Sequence, residues 1–416
     1  MKTLLYLIFI SAFLGSLGRI FGDGDGISIT IFQVLLVLAL GVWMLKIYKE
    51  GKFELKVTGL ETLMLLFFGV ISFSLIISSN QVVGLFNFAR FVILTMMILM
   101  IVNSFLATNE VRNALVLIAI IGVALGGYSA INYLLNPDLA AFNYLMQATT
   151  TLGRGSIGDD DPNFFAAMLF LSGTTLATIV HSQKMTLNVR VISLIGFGIV
   201  SAGIISTFSR SAWVSFFIAL MVIIWLTKNY RYITAAVVVA PVLLLFVSSD
   251  ITVLLENVMD RFSSIFEGSN DASSNMRIIL GIAGLEMFFD SYGLGVGFGG
   301  FPEVFKRANE VYGMTGVNQP HNITYQVLAE MGIAGILVFG VIILKLLSIG
   351  YNNVKLSKAF AEWDKVIAIA LFSAFIGYLV FHQFIPRFFT NTTLMVTIGL
   401  MLTHHQILLT KEKPAE

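Results

Sequence analysis

Long apolar runs separated by short polar gaps dominate the chain. Each run is continuous enough to be buried on all sides, and none shows the strict alternation of a half-buried strand. A bilayer core about 30 Å thick needs about 20 apolar residues per helix. On that measure the pattern predicts about twelve transmembrane helices, at roughly 3–20, 27–46, 60–79, 84–106, 113–135, 163–181, 191–208, 211–227, 231–249, 321–346, 365–383 and 391–409. One gap stands out. Residues 250–320 form the only long polar segment, so the chain divides into nine helices over 1–249, a large loop over 250–320, and three helices with a tail over 321–416. The first run could be read as a signal peptide, but an uncleaved helix fits better.

Composition fixes the class. Of the 416 residues, 57% are hydrophobic and 12% charged, against about 25% charged in soluble proteins. The fold class is therefore all-α, a polytopic integral membrane protein with membrane lipids as its first partner. The net charge of +1 comes with no basic stripe, so no nucleic-acid partner is expected. There is no cysteine, which excludes disulfides, thiolate metal sites and a cysteine nucleophile. The five histidines (His181, His321, His382, His404, His405) form no HExxH or similar motif. Neither a metal nor another cofactor is expected.

Charge also sets the orientation. With the N-terminus in the cytoplasm, sixteen of the 25 Lys and Arg residues fall on the inner side and nine on the outer. Four of those nine lie in the long loop, which translocates largely regardless of charge. Both termini are thus expected in the cytoplasm. Arg90, the acidic run Asp159–Asp161, Arg210, Arg277 and His321 then all share the outer side. A transporter would instead gather polar groups at the bilayer midplane, on broken helices of repeated halves.

Two clusters at span ends invite chemistry. Ser209, Arg210, Ser211 and Trp213 occupy a short turn between apolar runs. Arg210 could snorkel to the headgroups, or its planar fork of donors could clamp a diphosphate beside the two serine hydroxyls. Gln319-Pro320-His321-Asn322 opens a later helix, with Asn322, Gln326 and Glu330 recurring every four residues on one face. Histidine suits a general base near neutral pH. Glu330 lies about 12–14 Å below it, deep enough to need a buried partner, for which Arg90 is one option. Arg90 is alternatively a second cation for an anionic lipid headgroup. Asp161 and Asn163 open the sixth span, where acids suit the helix dipole; they could also contact sugar hydroxyls or orient His321.

In the long loop, Ser273-Ser274-Asn275 predicts a helix from about Met276 to Asp290 with Arg277 in its first turn, where a cation opposes the dipole. Gly295, Gly297 and Gly300 then satisfy GxGxxG only formally. No strand precedes them and Pro302 follows, so a nucleotide site is rejected. The glycines are either a tight turn or a backbone that lets a bulky glycan or diphosphate approach.

These stretches, in this order and on this side, resemble the O-antigen ligase and polymerase superfamily of bacterial envelope proteins. The resemblance is most specific at 205–214, at 277–301 and at 320–335, with Asp161-Pro162-Asn163 and Ala166 as a further match. It implies an inverting, metal-independent glycosyltransferase of the GT-C-like helical type in the cytoplasmic (inner) membrane. Its implied donor is an undecaprenyl-diphosphate-linked glycan. The implied catalytic residues are Arg210 and Arg277 on the diphosphate and His321 on the acceptor hydroxyl. Arg90, Ser209, Ser211, Asp161, Asn163, Asn322, Gln326 and Glu330 are the expected substrate-binding residues around them. A ligase would use lipid A-core as acceptor, and a polymerase the next lipid-linked repeat. One large external loop rather than two favours the ligase. A non-enzymatic polysaccharide or lipid transporter is the reading from another class.

Overall fold

The computed structural model describes residues 1–21, 29–50, 58–135, 156, 161–229, 272–309, 320–385 and 387–412. The predicted ninth span, Arg154 and Arg261, Asp159 and Asp160, Gln319 and most of the first half of the long loop lie outside them. The described chain is almost wholly helical, and nine of its helices are long and apolar enough to cross a membrane. The polytopic all-α expectation holds.

In chain order the helices are α1 (Lys2–Ala12), α2 (Ile31–Glu50), α3 (Glu61–Ile77), α4 (Gln81–Ser104), α5 (Thr108–Leu135), α6 (Pro162–Met168), α7 (Phe170–His181), α8 (Leu187–Ser206), α9 (Arg210–Thr227), α10 (Ala272–Asp290), α11 (Phe301–Asn309), α12 (Ile323–Leu356), α13 (Glu362–Phe381) and α14 (Thr392–Glu412). A small antiparallel pairing of Arg19–Phe21 with Ile29–Thr30 joins α1 to α2. Eleven of the twelve predicted runs coincide with these helices. The first is shorter than expected, because the chain turns at Gly15 and enters the strand pair instead of continuing as helix.

Helix α13 is the axis of the bundle, packed against α7, α9, α12 and α14. It is therefore apolar on nearly all faces, as a helix surrounded by helices must be. Its start is fastened by Asp364, which is fully buried and accepts both carboxylate bonds from Lys411 at 2.8 Å and one from Thr108 Oγ1 at 2.7 Å. This latch ties together the starts of α5 and α13 and the end of α14. Lys2 of α1 pairs with Glu110 at the same end. The opposite end of α13 carries the candidate site.

Helix α12 reads as one run in sequence but is broken at Gly332, whose backbone is non-helical at φ 61°, ψ −155°. The break frees carbonyls that an unbroken helix would use, and the glycine-rich segment supplies their donors. Val296 N–H bonds to Ala329 O at 2.8 Å, Gly297 N–H to Glu330 O at 3.0 Å, and Ile333 N–H to Gly293 O at 2.9 Å. Ser74 Oγ of α3 adds a bond to Glu330 O at 2.8 Å. A kink inside a membrane is tolerated only when such groups are re-satisfied. The glycines serve the protein's own backbone: Gly297 has φ 96°, and a Cβ there would lie 2.2 Å from Ser78 Cα.

Candidate functional site

At the end of α13 the chain turns through residues 382–391 before α14. His382, fully buried, organises this turn. Its Nδ1 bonds to Ile385 O and its Nε2 to Asn391 Nδ2, both at 3.0 Å, while its carbonyl accepts Ile323 N–H at 2.9 Å. Asn322 caps α12: its Oδ1 accepts Thr324 N–H at 2.8 Å and Tyr325 N–H at 3.1 Å, and its Nδ2 donates to Gln383 O at 3.0 Å. Thr324 Oγ1 adds a bond to Gln383 Oε1 at 3.0 Å. His321 thus sits on a doubly anchored helix start. That rigidity is what positions a base.

The imidazole of His321 is half-buried, and its Nδ1 is enclosed with no hydrogen-bond partner. Burial pushes its pKa down, and the Arg277 guanidinium pushes it further in the same direction. Asp161 and the Phe384 backbone work the other way. Burial and Arg277 thus favour the neutral imidazole at neutral pH.

Arg277 lies in the second turn of α10, since the helix starts at Ala272 rather than near Met276. The dipole penalty expected for a first-turn cation is correspondingly weaker. Its Cζ stands over the Phe384 ring, 5.9 Å from the centroid, within the range of a cation–π contact. Helix α10 packs along α12, and a Cβ on Gly281 would meet the Tyr325 ring at 3.0 Å. Close approach of the two helices brings Arg277 to His321.

Asp161 caps α6, accepting from Asn163 N–H at 2.7 Å and Asn163 Nδ2 at 2.8 Å. Helix α6 packs against α9, of which Arg210 is the first residue. Ser209 is its cap, accepting from Ala212 N–H at 3.3 Å and lying 3.2 Å from Ser211 Oγ. Both serines are buried, so their hydroxyls serve the helix start. The tight turn before them, with Phe208 at φ 51°, is locked by Trp213 Nε1 donating to Ile204 O at 3.1 Å.

Arg277 and Asp161 are therefore each within electrostatic range of His321, and Arg210 opens the helix that packs against α6. Glu330 and Gln326 lie elsewhere. Glu330 is 1% exposed; its carboxylate accepts from Gln326 Nε2 at 3.3 Å and from the backbone N–H groups of Gly299 and Phe301. It fastens the glycine-rich segment under the site, and no ion pair joins it to Arg90 among the described residues. Arg90 instead lines a cavity beyond the 382–391 turn, together with Arg19 and Arg387. The sequence reading assigned no role to Arg387, Phe384 or His382. An arginine two residues after Ile385, in a short polar gap, carried no signal beyond orientation.

Residues 195–340, from α8 through the start of α12, match the family model described as O-antigen ligase. The match contains Arg210, Arg277 and His321 and stops short of Arg90 and Asp161 on its N-terminal side. No curated protein matches the chain. The matched segment, which carries Arg210, Arg277 and His321 in order, is similar to the O-antigen ligase family.

Proposed function

We propose that this protein transfers a glycan from undecaprenyl diphosphate to lipid A-core at the outer face of the bacterial cytoplasmic membrane. In this reading the His321 imidazole takes the proton from an acceptor hydroxyl as its oxygen attacks the anomeric carbon. The bond from that carbon to the diphosphate oxygen breaks, with inversion. Arg210 and Arg277 hold the departing diphosphate, whose growing charge is the main barrier to such chemistry. The proton then leaves His321 to solvent and undecaprenyl diphosphate departs. Asp161 orients the imidazole and tempers the effect of Arg277 on it.

The observation that carries the reading is the half-buried His321 imidazole, kept neutral by burial and by Arg277, within the segment that matches the family. Deleting the gene in the source organism tests it through the lipopolysaccharide profile. Loss of every long chain from lipid A-core, with lipid-linked polymer accumulating, is the expected result. Lipid A-core bearing a single repeat would make the protein the polymerase, and an unchanged ladder would exclude both. Complementation with His321→Ala should fail, lowering transfer by about 10²–10⁴-fold.

A further inference from the structure

Beyond the 382–391 turn, between α2, α4 and the start of α14, lies a cavity of about 860 Å³. Its walls are the apolar sides of α2 and α4, including Leu36, Val37 and Phe86. Three guanidiniums enter it: Arg19, Arg90 and Arg387. No Asp or Glu occurs among its described lining residues. Arg90 sits nine residues into α4 from Gln81, about 13–14 Å along the helix at 1.5 Å per residue. A cation at that depth is expensive and marks a functional site. Arg387 makes it more so, because the two like charges repel, and neither forms an ion pair with a carboxylate among the described residues. Arg387 is fixed in place by Phe164, whose ring lies 5.0 Å from its Cζ, and it adopts φ 74°. Two guanidiniums entering one apolar-walled cavity whose described lining holds no carboxylate make a receptor for a phosphate attached to hydrocarbon.

We propose that this cavity binds the phosphate-bearing headgroup of a second membrane lipid, the acceptor, separately from the diphosphate site at Arg210 and Arg277. The acceptor role rests on the transferase reading above; the lipid-phosphate site does not. Both acceptors considered, lipid A-core and a lipid-linked repeat, carry phosphate at membrane level. The 382–391 turn serves both places: Phe384 touches Arg277 and influences His321, and Arg387 reaches the cavity. A lipid anchored at Arg90 and Arg387 therefore lies at the same turn whose Phe384 reaches Arg277 and His321.

The test is native mass spectrometry of the full chain in detergent, titrated with phosphatidic acid, phosphatidylcholine or inorganic phosphate. The wild type should hold phosphatidic acid in preference to phosphatidylcholine. Arg90→Gln with Arg387→Gln should weaken that binding about ten- to a hundredfold, the loss expected for charge-assisted bonds. Ala89→Trp, which blocks the cavity with every arginine kept, should weaken it as well, so a misfolded double variant does not decide the matter alone. His321→Ala should bind as the wild type does. Inorganic phosphate that binds equally and displaces the lipid would reduce the site to one for a free anion and overturn the lipid assignment. Unchanged binding in both cavity variants would overturn the site itself. In a transfer assay, Arg387→Gln should raise the acceptor KM and leave the donor KM in place; an unchanged acceptor KM with lost lipid binding would remove the acceptor role. Full transfer by His321→Ala would sink the transferase reading and leave the lipid site standing.

Discussion

At the residue scale, His321 gives the sharpest expectation. Its pKa in the folded protein lies below the ordinary histidine value because of burial and Arg277. A base must be neutral to act, so transfer should be flat through neutral pH. It should fall only as the pH drops through that lowered value, below about 6.5. Asp161 holds the pKa up, so Asp161→Asn should move the acid limb to lower pH. Initial rates against pH check this, and a limb displaced upward would exclude the assigned contact. Lysine would keep the charge of Arg210 or Arg277 but lose the planar fork. Arg210→Lys and Arg277→Lys should therefore lose nearly as much as glutamine, about 10²–10³-fold. Arg210 and His321 stood out in the sequence as costly groups at span ends, and Arg277 as a cation early in the loop helix. The roles of their neighbours did not. Ser209 and Asn322, expected to contact substrate, cap helices, and Ser211 Oγ lies against Ser209 Oγ. The same hydroxyl and amide chemistry serves both purposes, and only geometry separates them.

At the element scale, the helix positions followed from hydrophobicity alone, and the break in α12 did not. Apart from Glu330 the run over 321–346 is apolar around Gly332, and nothing local marks that glycine against the others. The break exists because residues 293–300 arrive from elsewhere to bond the freed carbonyls, a contact no local pattern encodes. Glu330 was read as a deep carboxylate in need of a partner, and its partners proved to be backbone N–H groups rather than a cation. Glu330→Ala should leave those donors unsatisfied and cost about 1–3 kcal/mol, seen as a lower Tm in detergent. Gly297→Ala should be at least as damaging, since its Cβ would meet the α3–α4 turn at φ 96°. Gly340→Ala, in α12 with open space around it, is the control and should raise stability slightly, by up to about 1 kcal/mol. If Gly297→Ala were equally harmless, the packing of the glycine segment against Ser78 would be wrong.

At the scale of the whole molecule, the two ends of the bundle have opposite characters. One is closed by ion pairs: Asp364 with Lys411, and Lys2 with Glu110. The other carries His321, Arg277, Arg210 and the arginine-lined cavity. On the orientation expected from Lys and Arg the first end faces the cytoplasm, and the proposed transfer needs the second to face the compartment where the glycan is assembled. The chain contains no cysteine, so this assignment can be tested directly with single introduced thiols. Tyr292 is 95% exposed in the turn after α10, and Lys358 is exposed between α12 and α13 at the latched end. A membrane-impermeant maleimide applied to intact spheroplasts should label Tyr292→Cys and spare Lys358→Cys until the membrane is opened. The reverse pattern would place His321 in the cytoplasm. An undecaprenyl-linked glycan already carried outward could not then reach it, and the transfer reaction proposed here would be excluded whatever the residues of the site.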